Sequence, residues 1–263
     1  MENQKPIGIF DSGLGGLSIA RSIRDILPDE DIVYFADSKY SPYGSKSKDE
    51  VVERSVGIAD FLTSQNCKLI VVACNTATVN SISTLRSGSS IPFVGVEPGI
   101  KPAAMQSVSG VIGVLATEQT LASASYQKLK TGYSSKVRIE ERACPDFVSL
   151  VEGLDHESEA AVAKAEQYIR PLLEAGCDQL ILGCTHFSFL KPVINKVVVN
   201  KAVVIDTAIA VAREVQRRLN HLGLSKSSKA GSNVQFWTSG EIENSISSIQ
   251  NLWGHEVDGV HKV

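Results

Sequence analysis

"NCKLIVVACNTAT" (Asn66–Thr78) and "GCDQLILGCTHFS" (Gly176–Ser188) align with a shift of 110 positions, which pairs Cys67 with Cys177 and Cys74 with Cys184. Each is an apolar run of strand length that stops where hydrogen-bonding side chains begin, at Ala73-Cys74 in one and Gly183-Cys184 in the other. Each follows a segment of helical period. Val52, Val56, Ala59 and Leu62 recur every three or four residues before the first, and Val162, Ala165, Ile169 and Leu172 before the second. Pro171 should kink or shorten the second helix, because its ring collides with the preceding turn. A further strand follows each segment, "FVGVEPG" leading to Glu97 and "VVIDTAI" to Asp206. "IGIFDS" likewise matches "IGVLAT", which pairs Ser12 with Thr117.

Working outward, short Ile- and Val-rich runs alternate with helical segments along the whole chain, the pattern of a parallel α/β protein. Expected strands are Ile7–Phe10, Ile32–Phe35, Leu69–Ala73, Phe93–Val96, Val111–Leu115, Leu180–Gly183, Val203–Ile205 and Val234–Trp237. The repeat predicts two similar parallel-sheet α/β lobes in a pseudo-twofold relation. Ligands of open parallel sheets bind beyond the carboxyl ends of the strands. Two such lobes facing each other would point Cys74 and Cys184 at one ligand from opposite sides, and opposed bases are what inversion of a carbon centre needs.

Bulk properties narrow the classes. The 263 residues suit one large domain or two small ones. With 43% hydrophobic and 21% charged residues the composition is that of a soluble globular protein, and no apolar run approaches the ~18 residues of a membrane span. The start, "MENQKPIGIFDSG", lacks the regions of a signal peptide, so a cytoplasmic location is expected. The first strand begins within a few residues of Met1, so regulation through a long N-terminal extension is not expected. Five cysteines are too few for a disulfide framework and should stay thiols in a reducing compartment. A net charge of -3 with scattered Lys and Arg offers no stripe for nucleic acid.

Several readings of the Cys184-Thr185-His186 triplet compete. Cys184 and His186 are metal-ligand types, but His156, His221, His255 and His261 supply no companion motif, so no metal is expected. A cysteine hydrolase would pair a thiolate with an imidazole base, which leaves Cys74-Asn75-Thr76 without a role. Buried cysteines are also ordinary small hydrophobes. That suits Cys67 and Cys177; it suits Cys74 and Cys184 less, each followed by two polar side chains. The glycine turn "DSGLGGLS" after the first strand lacks the third glycine of a dinucleotide fingerprint, which would fall at Ser18, and the lysine of a P-loop. It reads as a carboxylate-binding turn, or as glycines that only permit a tight bend.

"IGIFDSGLGGLS", "SPYG" (Ser41–Gly44), "VVACNTA" (Val71–Ala77), "CPDFVSLVE" (Cys144–Glu152) and "LGCTHF" (Leu182–Phe187) together resemble the glutamate racemases of the aspartate/glutamate racemase family, in the family's order and across most of the chain. The resemblance implies a cofactor-independent enzyme with its active site in the cleft between two α/β lobes. Cys74 and Cys184 match the two catalytic cysteines, one removing the α-proton of one enantiomer while the other delivers a proton to the opposite face. Asp11, Ser12, Tyr43, Gly44, Asn75, Thr76, Thr185 and His186 match substrate-holding segments, and Thr117 and Thr120 a further contact. Glu152 and His186 match the groups beside the second cysteine, and Asp11 the counterpart beside the first.

The resemblance also implies that 1–97 with 207–263 form a discontinuous first lobe and 98–206 the second. "SKSSKAGSN" (Ser225–Asn233) would then be a polar loop before a returning strand. It implies glutamate as substrate, D-glutamate supply for peptidoglycan, and the homodimer usual in the family. Aspartate as substrate, a binding protein that has lost catalysis, and a hydrolase are the alternatives. Asp146, Ser149, Ser188 and Thr207-Ala208 depart from the family pattern, which leaves local loop geometry open and removes no chemical group.

Overall fold

A computed structural model describes residues 2–226 and 232–263. From its start the chain lays down β1 (Ile7–Asp11), α1 (Leu17–Ile26), β2 (Ile32–Ala36), α2 (Lys48–Ser64), β3 (Leu69–Val72), α3 (Asn75–Gly88) and β4 (Phe93–Gly95). It crosses through α4 (Ile100–Gln106) to β5 (Val111–Ala116), α5 (Glu118–Ala122), α6 (Ala124–Thr131), β6 (Arg138–Ala143), α7 (Pro145–Glu152), α8 (Glu159–Glu174), β7 (Gln179–Leu182), α9 (Lys191–Val198) and β8 (Val203–Ile205). It ends with α10 (Ala208–Leu222), β9 (Val234–Thr238), α11 (Ile242–Trp253) and β10 (Val260–Lys262).

Among the described residues these strands form two sheets, β10-β9-β2-β1-β3-β4 and β6-β5-β7-β8. Every pairing is parallel. The order β2-β1-β3-β4 recurs as β6-β5-β7-β8, so the expected two-lobed α/β architecture is present, with β3 and β7 in equivalent places. The chain enters the second sheet after β4 and leaves it after β8; β9 then pairs with β2 in the first. Central strands are buried on both faces, which is why β1, β3 and β7 read as unbroken apolar runs.

The repeated Cys67 and Cys177 have a packing reason. A Cβ on Gly8 of β1 would stand 3.0 Å from Cys67 Sγ, and one on Gly113 of β5 would stand 3.4 Å from Cys177 Sγ. Each cysteine fills the space over a glycine of the central strand.

Several expectations need correction. The buried face of α2 is Val51, Ser55, Ile58, Ala59 and Leu62, whereas Val52 and Val56 are half-buried. Ser55 can occupy that face because its hydroxyl donates to the Val51 carbonyl at 2.7 Å. α8 is not shortened by Pro171, which sits in its last turn, three residues before the end. β6 and β10 were not expected: "RIEERA" is a charged edge strand without a buried face, and "VHK" is three residues at the other edge. Much of the polar loop expected at Ser225–Asn233 lies outside the described residues. At the departing positions, Asp146 takes the Tyr168 hydroxyl and Lys164, and Ser188 donates to Asp206 at 3.1 Å.

Candidate active site

The two thiols stand just past the ends of β3 and β7. Phe10 lies beside Val72 in the first sheet, and Leu115 beside Leu182 in the second, so Asp11, Cys74, Thr117 and Cys184 emerge at matching strand ends. Cys74 caps α3, its sulfur accepting from the Ala77 amide at 3.5 Å and donating to Ser12 Oγ at 3.7 Å. Cys184 is placed differently. It precedes a single 3-10 turn, Thr185–Ser188, so it lacks the dipole of a long helix. Its polar neighbour is instead His186, whose Nδ1 lies 3.7 Å from the sulfur.

His186 is held from both lobes. Phe187 meets Phe147 of α7 edge-on with centroids 5.1 Å apart, which pins the turn against that helix. Glu152, the last residue of α7, brings Oε1 to 2.7 Å from His186 Nε2. The same oxygen accepts the Leu14 amide at 2.8 Å, from the glycine turn of the first lobe. Gly15 N also lies 3.2 Å from Nε2. Burial works against charge on His186, but the hydrogen bonds with Cys184 and Glu152 outweigh it and lift the imidazole well above its usual range. Burial likewise pushes Glu152 up, while His186 and the Leu14 amide outweigh it and hold the carboxyl below its ordinary value. Both shifts favour an imidazolium beside a carboxylate. Nε2 therefore donates to Glu152, and the Gly15 amide is a close neighbour rather than a bonding partner.

The Cys74 side is built differently. Asp11 is fully buried, and its Oδ2 accepts from the Gly16 amide at 2.8 Å. Burial raises the Asp11 carboxyl, and the His186 charge pulls against that rise. Burial, then the negative charge of Asp11, pushes the Cys74 thiol well up, and charge on Cys184 adds to the effect. One sulfur thus faces a cation and the other a carboxyl. Taken alone, Cys184, His186 and Glu152 have the form of a nucleophile, a base and an orienting acid. Hydrogen bonds from Leu14 to Glu152 and from Thr76 to Thr117 and Thr120 bring the two groups of strand ends together.

Asp11 Oδ1, Ser41 Oγ, both polar atoms of the Asn75 amide and Thr185 Oγ1 are buried without a partner among the described residues. An unpaired buried polar group costs roughly 1–3 kcal/mol. Asn75 and Thr185 each directly follow a thiol, and their open groups suit a polar ligand with both donors and acceptors.

Other expected contacts are already paired. Thr76 Oγ1 lies 3.0 Å from Thr117 Oγ1 and 3.2 Å from Thr120 Oγ1, a hydroxyl cluster across the lobes. The Tyr43 hydroxyl donates to Asp37 at 2.5 Å, and a Cβ on Gly44 would sit 2.9 Å from the Thr117 Cβ, so this segment forms a wall of the cleft. Sequence reasoning missed the support of that wall. Asp37 binds Arg54 through both oxygens, at 2.7 and 2.9 Å, and accepts from Ser239 at 2.7 Å. One signal was available: Asp37 follows β2 as closely as Ser12 follows β1. Tyr34, whose hydroxyl donates to the Gly13 carbonyl at 2.9 Å, was also missed. A cavity of ≈ 580 Å³ reaches Leu14 and Glu152 from outside, but neither cysteine lines it.

Comparison with known proteins gives a consistent picture. A family model described as Asp/Glu/Hydantoin racemase matches residues 17–215. The chain is 44% identical over 237 residues to a glutamate racemase from Herpetosiphon aurantiacus, covering 90% of this chain and 93% of that protein. It is similar to the crystal structure of glutamate racemase isoform RacE1 from Bacillus anthracis, with a TM-score of 0.91 at 31% identity, covering 99% of this chain and 98% of that one. It is also similar to glutamate racemase from Francisella tularensis in complex with D-glutamate, with a TM-score of 0.88 at 27% identity, covering 99% and 98% of the two chains.

Proposed function

Because the chain belongs to the Asp/Glu/hydantoin racemase family, we infer that it is a glutamate racemase, an isomerase that interconverts L- and D-glutamate. The proposal extends to mechanism. In one working form Cys184 is thiolate and Cys74 thiol; Cys184 takes the α-proton, and Cys74 gives its own proton to the opposite face of the same carbon. The opposite hand of substrate meets the reverse arrangement. Proton count is conserved, and each turnover leaves the two sulfurs exchanged.

The observation that carries this reading is the unlike surroundings of two sulfurs at equivalent strand ends. The His186 imidazolium compensates a thiolate at Cys184, while Asp11 favours the protonated thiol at Cys74. Loss of the α-proton builds negative charge toward the substrate carboxylate, where the unpaired Asn75 amide and Thr185 hydroxyl can donate. Asp11 suits the ammonium, and Ser12, Thr76, Thr117, Thr120 and the Tyr43-Gly44 segment complete the enclosure. In this proposal 1–97 with 207–263, and 98–206, are the two lobes around the substrate. The enzyme works in the cytoplasm, as a homodimer, and its D-glutamate supplies peptidoglycan synthesis. Among the described residues no helix is long and apolar enough to cross a membrane.

The test is incubation in deuterated water with each enantiomer of glutamate and of aspartate, without added cofactor, following α-deuterium and circular dichroism. Exchange and inversion of both glutamates, with aspartate slower, are expected. One methylene is worth only ~1–3 kcal/mol in a pocket, so some aspartate turnover is compatible. No exchange with any of the four sinks the proposal. Cys74→Ser and Cys184→Ser should each abolish inversion, and full activity in either refutes the two-thiol mechanism.

A further inference from the structure

The glycine turn does bind carboxylates, both of them the protein's own: Asp11 at Gly16 and Glu152 at Leu14. A Cβ on Gly13 would stand 2.0 Å from Glu152 Oε1 and 2.9 Å from its Cδ. The next amide, Leu14 N, donates to the same Oε1. We propose that Gly13 is the seat of the Glu152 carboxylate, and that the first lobe's glycine turn is thereby the positioning element for His186, and through it for Cys184 of the second lobe. The inference rests on the reading of Cys184 as an acid-base group.

The other glycines of the turn have different neighbours. A Cβ on Gly15 would meet the His186 backbone nitrogen at 2.6 Å, and one on Gly16 would meet Asp11 Cβ at 2.7 Å and Ala73 Cβ at 3.0 Å. Neither obstacle can yield cheaply. At Gly13 the obstacle is the end of a flexible side chain that is 24% exposed and borders the ≈ 580 Å³ cavity. An alanine there can be accommodated by turning the Glu152 carboxylate outward into that space, away from Nε2 of His186. Gly13→Ala is therefore a selective way to unseat one carboxylate from another lobe.

The experiment compares Gly13→Ala, Glu152→Ala and the double variant, measuring kcat and KM for both glutamate enantiomers and folding by far-UV circular dichroism. Gly13→Ala should lower kcat/KM roughly tenfold to a hundredfold, as expected for loss of a charge-assisted hydrogen bond. Glu152→Ala should do the same, and the double variant should be no worse than Glu152→Ala alone, because both changes remove one interaction. Enantiomers have equal free energy, so kcat/KM must fall equally in both directions. A defect confined to the Cys184 side shows instead as unequal losses of kcat with KM following, which general loosening would not produce.

Folding of the double variant where Gly13→Ala alone does not fold also supports the seat. The inference is overturned if Gly13→Ala keeps full activity, if it lowers kcat equally in both directions, if its full effect persists on top of Glu152→Ala, or if the double variant fails to fold. Absence of α-deuterium exchange in the parent protein is a different result, and refutes the racemase reading underneath.

Discussion

His186 is the residue on which the charge balance of the cleft turns. Cys184 on its own turn, Glu152 at the end of α7 and Asp11 at the end of β1 all act on it. Its upward shift means that the imidazolium, and with it the compensation proposed for a Cys184 thiolate, fades only as pH climbs well past the usual histidine range. Glu152→Gln removes one of the two groups that hold it up. The alkaline limb of kcat/KM should accordingly move to lower pH in that variant, and an unmoved limb would detach His186 from catalysis.

Stability follows the same pair with two opposite signs. The His186 contribution is complete below its unfolded value of about 6.5 and is lost as pH rises through the folded one. The Glu152 contribution is complete above about 4.3 and is lost as pH falls through its depressed folded value. The stability gap between parent and Glu152→Gln, read from urea midpoints, should thus be widest between about pH 4.3 and 6.5. The two cysteines were legible because a repeat set them side by side. The family resemblance set Glu152 and His186 beside Cys184, but their hydrogen bond and its tie to Leu14 were not legible, since the three residues sit on three elements and no local spacing encodes contacts between them.

At the scale of elements, what could be read was whatever burial repeats along the chain. Buried on both faces, β1, β3, β5 and β7 announce themselves as apolar runs, whereas β6 places charged side chains at a sheet edge and carries no such sign. The face of α2 was misjudged by one residue because a buried serine that bonds its own helix is invisible to a count of apolar positions. The start of α2 was equally readable in principle. Ser47 accepts the Glu50 amide and the Glu50 carboxylate accepts the Ser47 amide at 2.9 Å, a closed capping box. Ser47→Ala opens it and should cost about 1 kcal/mol in a urea titration. Catalysis should be little changed, because Ser47 and Glu50 are exposed and the box bonds them to each other. A loss of several kcal/mol would mean that this end of α2 carries more of the fold than its cap.

At the scale of the whole molecule, the repeat accounts for eight of the strands among the described residues, in two matching sets of four, and the remaining two return from the far end of the chain. β9 lies along β2 from Val234 beside Ile32 to Thr238 beside Ala36. It delivers Phe236, and α11 delivers Ile249, Leu252 and Trp253, all at most 2% exposed in the core that also holds α1 and α10. Each such side chain contributes roughly 1.5–3 kcal/mol by burial. The four together rival the ~5–15 kcal/mol by which a domain is stable. The same segment reaches the cleft, since Ser239 bonds the Asp37 that also holds Tyr43 and Arg54.

Nothing near Asp37 in sequence points to a partner some two hundred positions later, which is why this support was not legible. A chain cut after Leu224 loses β9, α11 and β10 together and uncovers the edge of β2. It should show no cooperative urea transition and no racemisation. Ser239→Ala, which removes one bond to Asp37 and leaves the strand in place, should fold normally. A truncated chain that unfolded cooperatively would show that β1 to β8 suffice for the fold, and that the returning segment is only an addition to a complete two-lobed core.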